Sequence, residues 1–370
     1  MRVVLSGGGT GGHIYPAVAI ARQCQAEHPD TKILYIGTTK GLESTLVPKE
    51  NIPFESIEIT GFRRKLSLDN VRTVLRFIQG VNRSKKLLQQ FKPDVVIGTG
   101  GYVCGPVVYA ASKLGIPTLI HEQNAIPGLT NKFLSRYTDT VALSFPESKE
   151  HFGKGKHVLY TGNPRATAVF KANRRKGYEV LGIPEGRRVV MVVGGSRGAR
   201  AINDAMVQMS PALARLSDVH FVYVTGESYY ASTKERIEQA VNPMPKNLQV
   251  LPYIHNMPDV LAATSLVIGR SGASSLAELT ALGIPSILIP SPNVTNNHQE
   301  ANARSLERAN AAEVILEKDL DGERLFARVE AIMRDKIRFE QMSQGARSLG
   351  QPDSAEIIVR ELQRLAQNNK

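Results

Sequence analysis

His13 closes the run Gly7-Gly8-Gly9-Thr10-Gly11-Gly12-His13, which follows the β-branched stretch Arg2–Leu5 after Ser6. A glycine-rich turn between a strand and a helix leaves backbone N–H groups open to an anion. The helix that follows adds partial positive charge at its first turn. Pro16 fits near that helix start, where a missing N–H costs nothing. The chemistry on offer is phosphate binding beside a proton acceptor, since imidazole has a reference pKa of about 6.5. Two simpler readings use the same residues: a ligand-free tight turn in an α/β domain, and a His13 that bonds only its own loop.

Two further glycine loops follow buried-type strands. Gly98-Thr99-Gly100-Gly101-Tyr102 ends DVVIG, and Gly194-Gly195-Ser196-Arg197-Gly198 ends VVMVV. The third repeats the core of the first, with Gly8-Gly9-Thr10-x-Gly12 matching Gly194-Gly195-Ser196-x-Gly198. Three such loops fit a ligand with several phosphates, or two phosphorylated ligands; close helix packing is the plain alternative for the second. The formal dinucleotide fingerprint Gly7-x-Gly9-x-x-Gly12 also demands an acid at the end of the second strand to hold a ribose. Here ILYIG runs into Thr38, Thr39 and Lys40, so a nicotinamide dehydrogenase is disfavoured. His121-Glu122-Gln123-Asn124 puts four polar residues at another strand end, as a site or as a satisfied turn network. In the second half Ser271 is placed to cap a helix that carries Glu278, an acceptor suited to a ribose diol unless it is a surface carboxylate. Gln299 and Asn302 stand three apart on one helical face and can both read sugar hydroxyls.

The elements that would hold these residues alternate, apolar run with amphipathic helix, from end to end. That is the pattern of parallel sheets with helical crossovers. Strands are predicted at Arg2–Leu5, Lys32–Ile36, Phe54–Ile59, Asp94–Ile97, Thr118–His121, Thr140–Leu143 and His157–Tyr160. A charged, helical-looking connector at Lys171–Lys176 precedes a restart at Arg188–Val193. Strands then recur near His220–Val224, Gln249–Leu251, Leu266–Ile268, Ser286–Ile289 and Glu313–Leu316, before an amphipathic tail helix from Pro352 to Asn369. A chain of 370 residues with 42% hydrophobic content has room for two cored domains. Two cysteines form no disulfide framework and point to a reducing compartment. No apolar run reaches bilayer length, which predicts neither signal peptide nor spanning helix. The net charge of +12 favours an anionic partner, whereas 6% aromatics and no tryptophan disfavour a single-stranded nucleic-acid platform.

GGGTGGHIYPA, GTGGYVCGP, HEQNAIPGLTNKFLS, TGNPRA, GGSRGARAIN, RSGASSLAE and HQEANA, in this order, resemble the MurG family of N-acetylglucosaminyltransferases over nearly the whole chain. The resemblance implies an α/β GT-B fold: two Rossmann-like, doubly wound parallel-sheet domains facing a cleft, with the final helix crossing back to the first. The expected division is an acceptor and membrane domain at 1–163 with 347–370, and a UDP-sugar domain at 164–346. It implies an inverting transfer from UDP-N-acetylglucosamine to the C4 hydroxyl of lipid I, with no metal and no cofactor. Ser196 would meet the UDP phosphates, the Ile254 backbone the uracil, Glu278 the ribose, and Gln299 the sugar with Asn302 nearby. Thr10, His13 and Asn124 would line the meeting point of donor and acceptor, Gly11 and Gly12 would help bind the UDP-sugar, and Arg165 would reach the nucleotide. Gly100, Gly101 and Tyr102 would form an acceptor diphosphate loop, and His13 is the candidate base. Cell-wall synthesis or division proteins are implied partners, and nucleic acid is not. Other readings are a GT-B transferase acting on another lipid-linked or soluble acceptor, and a non-catalytic nucleotide- or membrane-binding module.

A lipid-linked acceptor places the chain peripherally at the cytoplasmic face of an anionic membrane. Gly61–Phe91 offers the means, because Arg63, Arg64, Lys65, Arg72, Arg76, Arg83, Lys85 and Lys86 interleave with apolar residues. Val71, Val74, Leu75 and Ile78 follow helical spacing, and the plain reading is that this face simply packs on the first sheet, since every crossover helix needs such a stripe. The excess of basic residues favours a helix whose outer side meets anionic lipid. Phe77, off the stripe, is expected to enter lipid.

Overall fold

Short runs of valine, isoleucine and leucine become strands because parallel sheets are covered on both faces. The computed structural model describes residues 1–61 and 68–368, without the side chains of 68–72. Its thirteen strands are β1 (Arg2–Ser6), β2 (Lys32–Thr38), β3 (Phe54–Ile57), β4 (Val95–Gly98), β5 (Thr118–Glu122), β6 (Thr140–Leu143), β7 (His157–Tyr160), β8 (Arg188–Val193), β9 (Val219–Val224), β10 (Leu248–Leu251), β11 (Leu266–Gly269), β12 (Ser286–Leu288) and β13 (Ala312–Val314). They form a seven-stranded sheet in the order β3-β2-β1-β4-β5-β6-β7 and a six-stranded sheet in the order β10-β9-β8-β11-β12-β13. All ladders among them are parallel. Both sheets reverse direction of growth beside their first strand, at β1/β4 and at β8/β11. Ligands of doubly wound sheets bind beyond the strand carboxyl ends at such switch points. The repeat in the sequence is therefore a repeat of this topology.

The chain divides into two units, Met1–Thr167 with Gln351–Lys370, and Ala168–Gly350. In the first, Val3 and Leu5 face a core shared with Ile14, Ala17 and Ala21, whereas Val4 faces the opposite core with Val81, Val107 and Ile120. That alternation is the period of two of a strand. The tail helix Ser354–Gln367 adds Ile358, Leu362 and Leu365 to the first of these cores, so the chain ends on the unit in which it began.

In the register of β1 with β4, Ser6 lies opposite Gly98, which sets the first two glycine loops side by side. Cys104 ties them further: its thiol lies 2.8 Å from Ser6 O and 3.0 Å from Gly100 O. Burial pushes this thiol, and that of Cys24, up to about 12.

The structure corrects two expectations. Lys171–Lys176 is no connector. Asn173 caps the helix Arg174–Leu181 by accepting from Lys176 N at 3.2 Å, and that helix packs within the second unit. Gly177 fits there because a Cβ would stand 2.0 Å from Asp259 O. The second correction concerns the helix Leu68–Phe91. Val74, Leu75 and Ile78 are 46%, 55% and 51% exposed, so the stripe assigned to packing faces solvent. Phe77, assigned to lipid, instead packs on Tyr109 and Phe133, with both centroid separations 6.1 Å. Arg63, Arg64 and Lys65 lie outside the described residues, as do the side chains of Val71 and Arg72.

Candidate active site

The first glycine loop is wired to its surroundings through named donors. Gly8 N–H donates to Gly100 O at 3.2 Å, and Gly9 N–H donates to Glu43 Oε2 at 3.0 Å. Tyr35 OH donates to Gly7 O at 2.7 Å. The remaining loop residues, Thr10 and Gly12, are exposed, and Gly11 and His13 are half-buried. His13 Nδ1 lies 2.9 Å from Gly8 O and 3.2 Å from Thr10 Oγ1. A carbonyl oxygen only accepts, so Nδ1 carries the hydrogen and Nε2 holds the lone pair of the neutral ring. Thr99 Oγ1 donates to His13 O at 2.7 Å and fixes the backbone beneath it.

The second glycine loop is pressed against this assembly. Gly101 has φ +83, and a Cβ there would stand 2.3 Å from Gly8 O. A Cβ on Gly100, φ +106, would stand 2.7 Å from His13 Cδ2 and 3.1 Å from His13 Nε2. Both glycines are thus demanded by close approach as well as by backbone conformation. Tyr102, 37% exposed, lies over Gly9 at the outer edge.

The polar strand end His121–Asn124 divides in two. His121, Glu122 and Gln123 are buried, and the turn network accounts for them better than a site does. Glu122 accepts from Asn124 N at 3.0 Å, Gly128 N at 3.1 Å and Asn131 Nδ2 at 2.9 Å, and so folds the whole loop around one carboxylate. Gln123 Nε2 donates to Thr99 O at 2.6 Å and to His121 Nδ1 at 3.0 Å. His121 therefore donates through Nε2 to Gly162 O at 2.9 Å, and burial lowers its pKa to about 4. Asn124, half-buried, is the member left at the surface of this network. Nearby, Arg165 lays its guanidinium 5.3 Å from the centre of the Tyr15 ring, a cation–π contact.

In the second unit the loop after β8 repeats the glycine geometry. Gly195 has φ +96 and Gly198 φ +74. A Cβ on Gly198 would stand 2.1 Å from Thr225 O, and Gly198 N–H donates to Gly195 O at 3.0 Å. Ser196 sits exposed at the crest. Beyond β11, Ser271 does not cap the helix Ala273–Leu282; Gly272 occupies the cap position without a side-chain bond. Its hydroxyl instead donates to Gln299 O at 2.7 Å, and Asn302 Nδ2 donates to Ser271 O at 3.2 Å. Asn302 is fully buried and braces the loop. Gln299 is half-buried and its Oε1 accepts from Ser291 N at 2.9 Å. Glu278 is 8% exposed, which removes the reading of an ordinary surface carboxylate. Ile254 is buried, and Tyr253 before it is exposed. A cavity of about 530 Å³ opens beside Asn297 and Glu300, lined by Pro290, Pro292 and Glu317, apart from the expected donor contacts. Among the described residues, no three histidine, cysteine, aspartate or glutamate side chains gather at metal-binding distance.

Glu43 is a functional residue with no signal in the sequence, where the end of β2 shows only Thr38, Thr39 and Lys40. The acid arrives from the next helix, Glu43–Lys49, and turns back to accept from Thr38 N at 3.1 Å and Thr38 Oγ1 at 2.6 Å. Its carboxylate faces the glycine loop, where a Cβ on Gly8 would stand 2.6 Å from it.

Comparison with known proteins agrees with this architecture. Residues 3–143 match the glycosyltransferase family 28 N-terminal domain, and residues 189–358 match its C-terminal domain. The chain is 53% identical over 370 residues, the full length of both, to the UDP-N-acetylglucosamine–N-acetylmuramyl-(pentapeptide) pyrophosphoryl-undecaprenol N-acetylglucosamine transferase of Bacillus licheniformis. The crystal structure of Acinetobacter baumannii MurG is 30% identical, with a TM-score of 0.79 covering 98% of this chain and 99% of that one. A UDP-GlcNAc 2-epimerase from Neisseria meningitidis, 14% identical with a TM-score of 0.70 over 98% and 100% of the two chains, shares the fold. The chain belongs to glycosyltransferase family 28 and, within it, to the MurG family of N-acetylglucosamine transferases.

Proposed function

We propose that this chain moves N-acetylglucosamine from UDP-N-acetylglucosamine to the C4 hydroxyl of the muramyl sugar of lipid I, giving lipid II. The observation that carries this reading is the match over the entire chain to transferases of that name. Such a transfer needs a base for the acceptor hydroxyl and donors for the leaving diphosphate. The acceptor oxygen attacks the anomeric carbon as the bond to UDP breaks, in one displacement that inverts configuration to β. His13 Nε2 takes the proton, since Nδ1 already carries one; a positioned base contributes roughly 100- to 10,000-fold. Charge growing on the leaving diphosphate is met by the Ser196 hydroxyl, the N–H groups of its loop and the Arg165 guanidinium. Fixed donors of this kind are typically worth about 100- to 1,000-fold each.

In the same reading Glu278 accepts from the ribose diol, the Ile254 backbone reads uracil, and Gln299 holds the sugar hydroxyls with Asn302 behind it. Thr10, Gly11, Gly12 and Asn124 border the reacting centre, and Gly100, Gly101 and Tyr102 receive the acceptor diphosphate. The first unit takes acceptor and membrane, and the second takes the nucleotide sugar.

No helix among the described residues is long and apolar enough to cross a membrane. Docking on the anionic cytoplasmic face of the membrane falls instead to Val74, Leu75 and Ile78, exposed apolar residues beside exposed Arg76 and Lys86. Each basic residue near such a surface contributes about 1 kcal/mol. An acceptor screen tests the proposal: UDP release and a lipid-linked disaccharide are expected with lipid I and not with free N-acetylmuramic acid or other soluble sugars. Transfer to soluble sugars with lipid I untouched overturns it.

A further inference from the structure

One peptide unit, Gly8–Gly9, is bonded at both ends to ionisable side chains. Its N–H donates to Glu43 Oε2 at 3.0 Å, and its C=O accepts from His13 Nδ1 at 2.9 Å. Glu43 is fully buried, and its other oxygen accepts from Thr38 N and Thr38 Oγ1. No ion pair to Glu43 forms among the described residues. A carboxylate at a peptide N–H draws electron density toward the carbonyl oxygen of the same amide, and chains of hydrogen bonds polarise one another most where the dielectric is low.

We infer that Glu43 serves His13 through the Gly8–Gly9 peptide, as a positioning residue that strengthens the carbonyl holding Nδ1–H and thereby raises the proton affinity of Nε2. The inference rests on the reading of His13 as the base. When Nε2 accepts the proton of the attacking hydroxyl, the ring becomes a cation with Nδ1–H still bonded to Gly8 O. No proton crosses the peptide. The glycines at this crossing are required by it: a Cβ on Gly8 would enter the Glu43 carboxyl at 2.6 Å, and one on Gly101 would reach Gly8 O at 2.3 Å.

Other titratable or charged groups around the loop are Tyr15 and Tyr102 at its exposed edge and Arg165 against Tyr15. Behind it lie Tyr35 on Gly7 O, Cys104 on Gly100 O and His121 behind Gln123. Burial keeps Tyr35 and Cys104 protonated and His121 neutral across the neutral range. Arg165 opposes a second positive charge, and the buried Glu122 carboxylate is bonded into its own turn by Asn124, Gly128 and Asn131, so Glu43 is the carboxylate bonded to the peptide that holds His13.

The test is the His13 ring titration, followed by NMR on the full-length labelled chain without substrate and assigned with His13→Gln. This readout needs no turnover, so it separates failure of the inference from failure of the proposed activity. Glu43→Gln keeps the shape and removes the charge. Its His13 pKa is expected to fall by about 0.5–1 unit, a fraction of the 1–3 units typical of a charge in direct contact. Thr38→Val removes a donor from the carboxylate and leaves more charge facing Gly9, so its His13 pKa is expected to stay or rise. A folded Glu43→Gln that titrates like wild type overturns the inference. So does a Thr38→Val whose ring shifts downward, the result expected if Glu43 merely props the loop. Should Glu43→Gln fail to fold, the sign of the Thr38→Val shift decides alone.

Discussion

Replacing Gly101 by alanine puts a methyl group where the second glycine loop crosses the first. Two costs follow, and they separate experimentally. The positive φ of +83 strains any L-residue, by roughly 1–2 kcal/mol. The new Cβ would also stand 2.3 Å from Gly8 O, and real Cβ contacts are essentially never under 3.0 Å, so that carbonyl must retreat by about 0.7 Å. Gly8 O is the acceptor that orients the His13 ring. A displacement of about 1 Å in a catalytic group costs on the order of 100-fold in rate, so kcat is expected to fall by about that factor. Gly115→Ala is the control: its φ is +71, with nothing within 4 Å of the added Cβ. It carries the strain without the collision, so it should lower the melting temperature by a few degrees and leave kcat unchanged. Both variants are assayed at saturating lipid I and UDP-N-acetylglucosamine, with thermal melts alongside. A Gly101→Ala enzyme with kcat within threefold of Gly115→Ala would show that catalysis does not depend on the position of Gly8 O.

Further outcomes concern the second unit and the helix Leu68–Phe91. Glu278→Ala removes one charge-assisted acceptor, worth roughly 1.5–3 kcal/mol, and should weaken UDP about ten- to a hundred-fold by calorimetric titration; wild-type affinity in a folded variant rejects the ribose assignment. Changing Leu75 and Ile78 together to serine should reduce cosedimentation with anionic vesicles without lowering the melting temperature, whereas Phe77→Ser should lower the melting temperature. Equal vesicle binding by Leu75→Ser/Ile78→Ser and wild type at low salt places the docking surface elsewhere.

The sheets were legible because buried parallel strands write themselves as continuous apolar runs. β6, β7 and β8 fall at the limits predicted, since each run is bounded by polar or turn residues. The repeated glycine loops marked the two switch points for the same reason: only a tight turn at a strand end needs that spacing. What the chain conceals is the direction in which a feature faces. Periodicity found an apolar stripe on the helix Leu68–Phe91, but only the ring cluster of Tyr109, Phe133 and Tyr137, supplied by other elements, decides that Phe77 turns inward. Glu43 carries no signal in the sequence because its bond to the glycine loop is to a backbone N–H 34 residues earlier. Backbone N–H groups leave no mark in a sequence. Ser271 had the residue type of a helix cap, and a competing carbonyl, Gln299 O, took its hydroxyl instead.

In the proposed transfer His13 Nε2 receives the proton of the attacking hydroxyl while the Gly8 carbonyl holds Nδ1–H. Single-turnover formation of the lipid-linked disaccharide by wild type and by His13→Asn, with donor affinity measured in parallel, tests it most directly. The rate is expected to fall by about 100- to 10,000-fold with donor affinity little changed, the signature of an interaction made in the transition state. A His13→Asn enzyme that forms the disaccharide at the wild-type rate contradicts it.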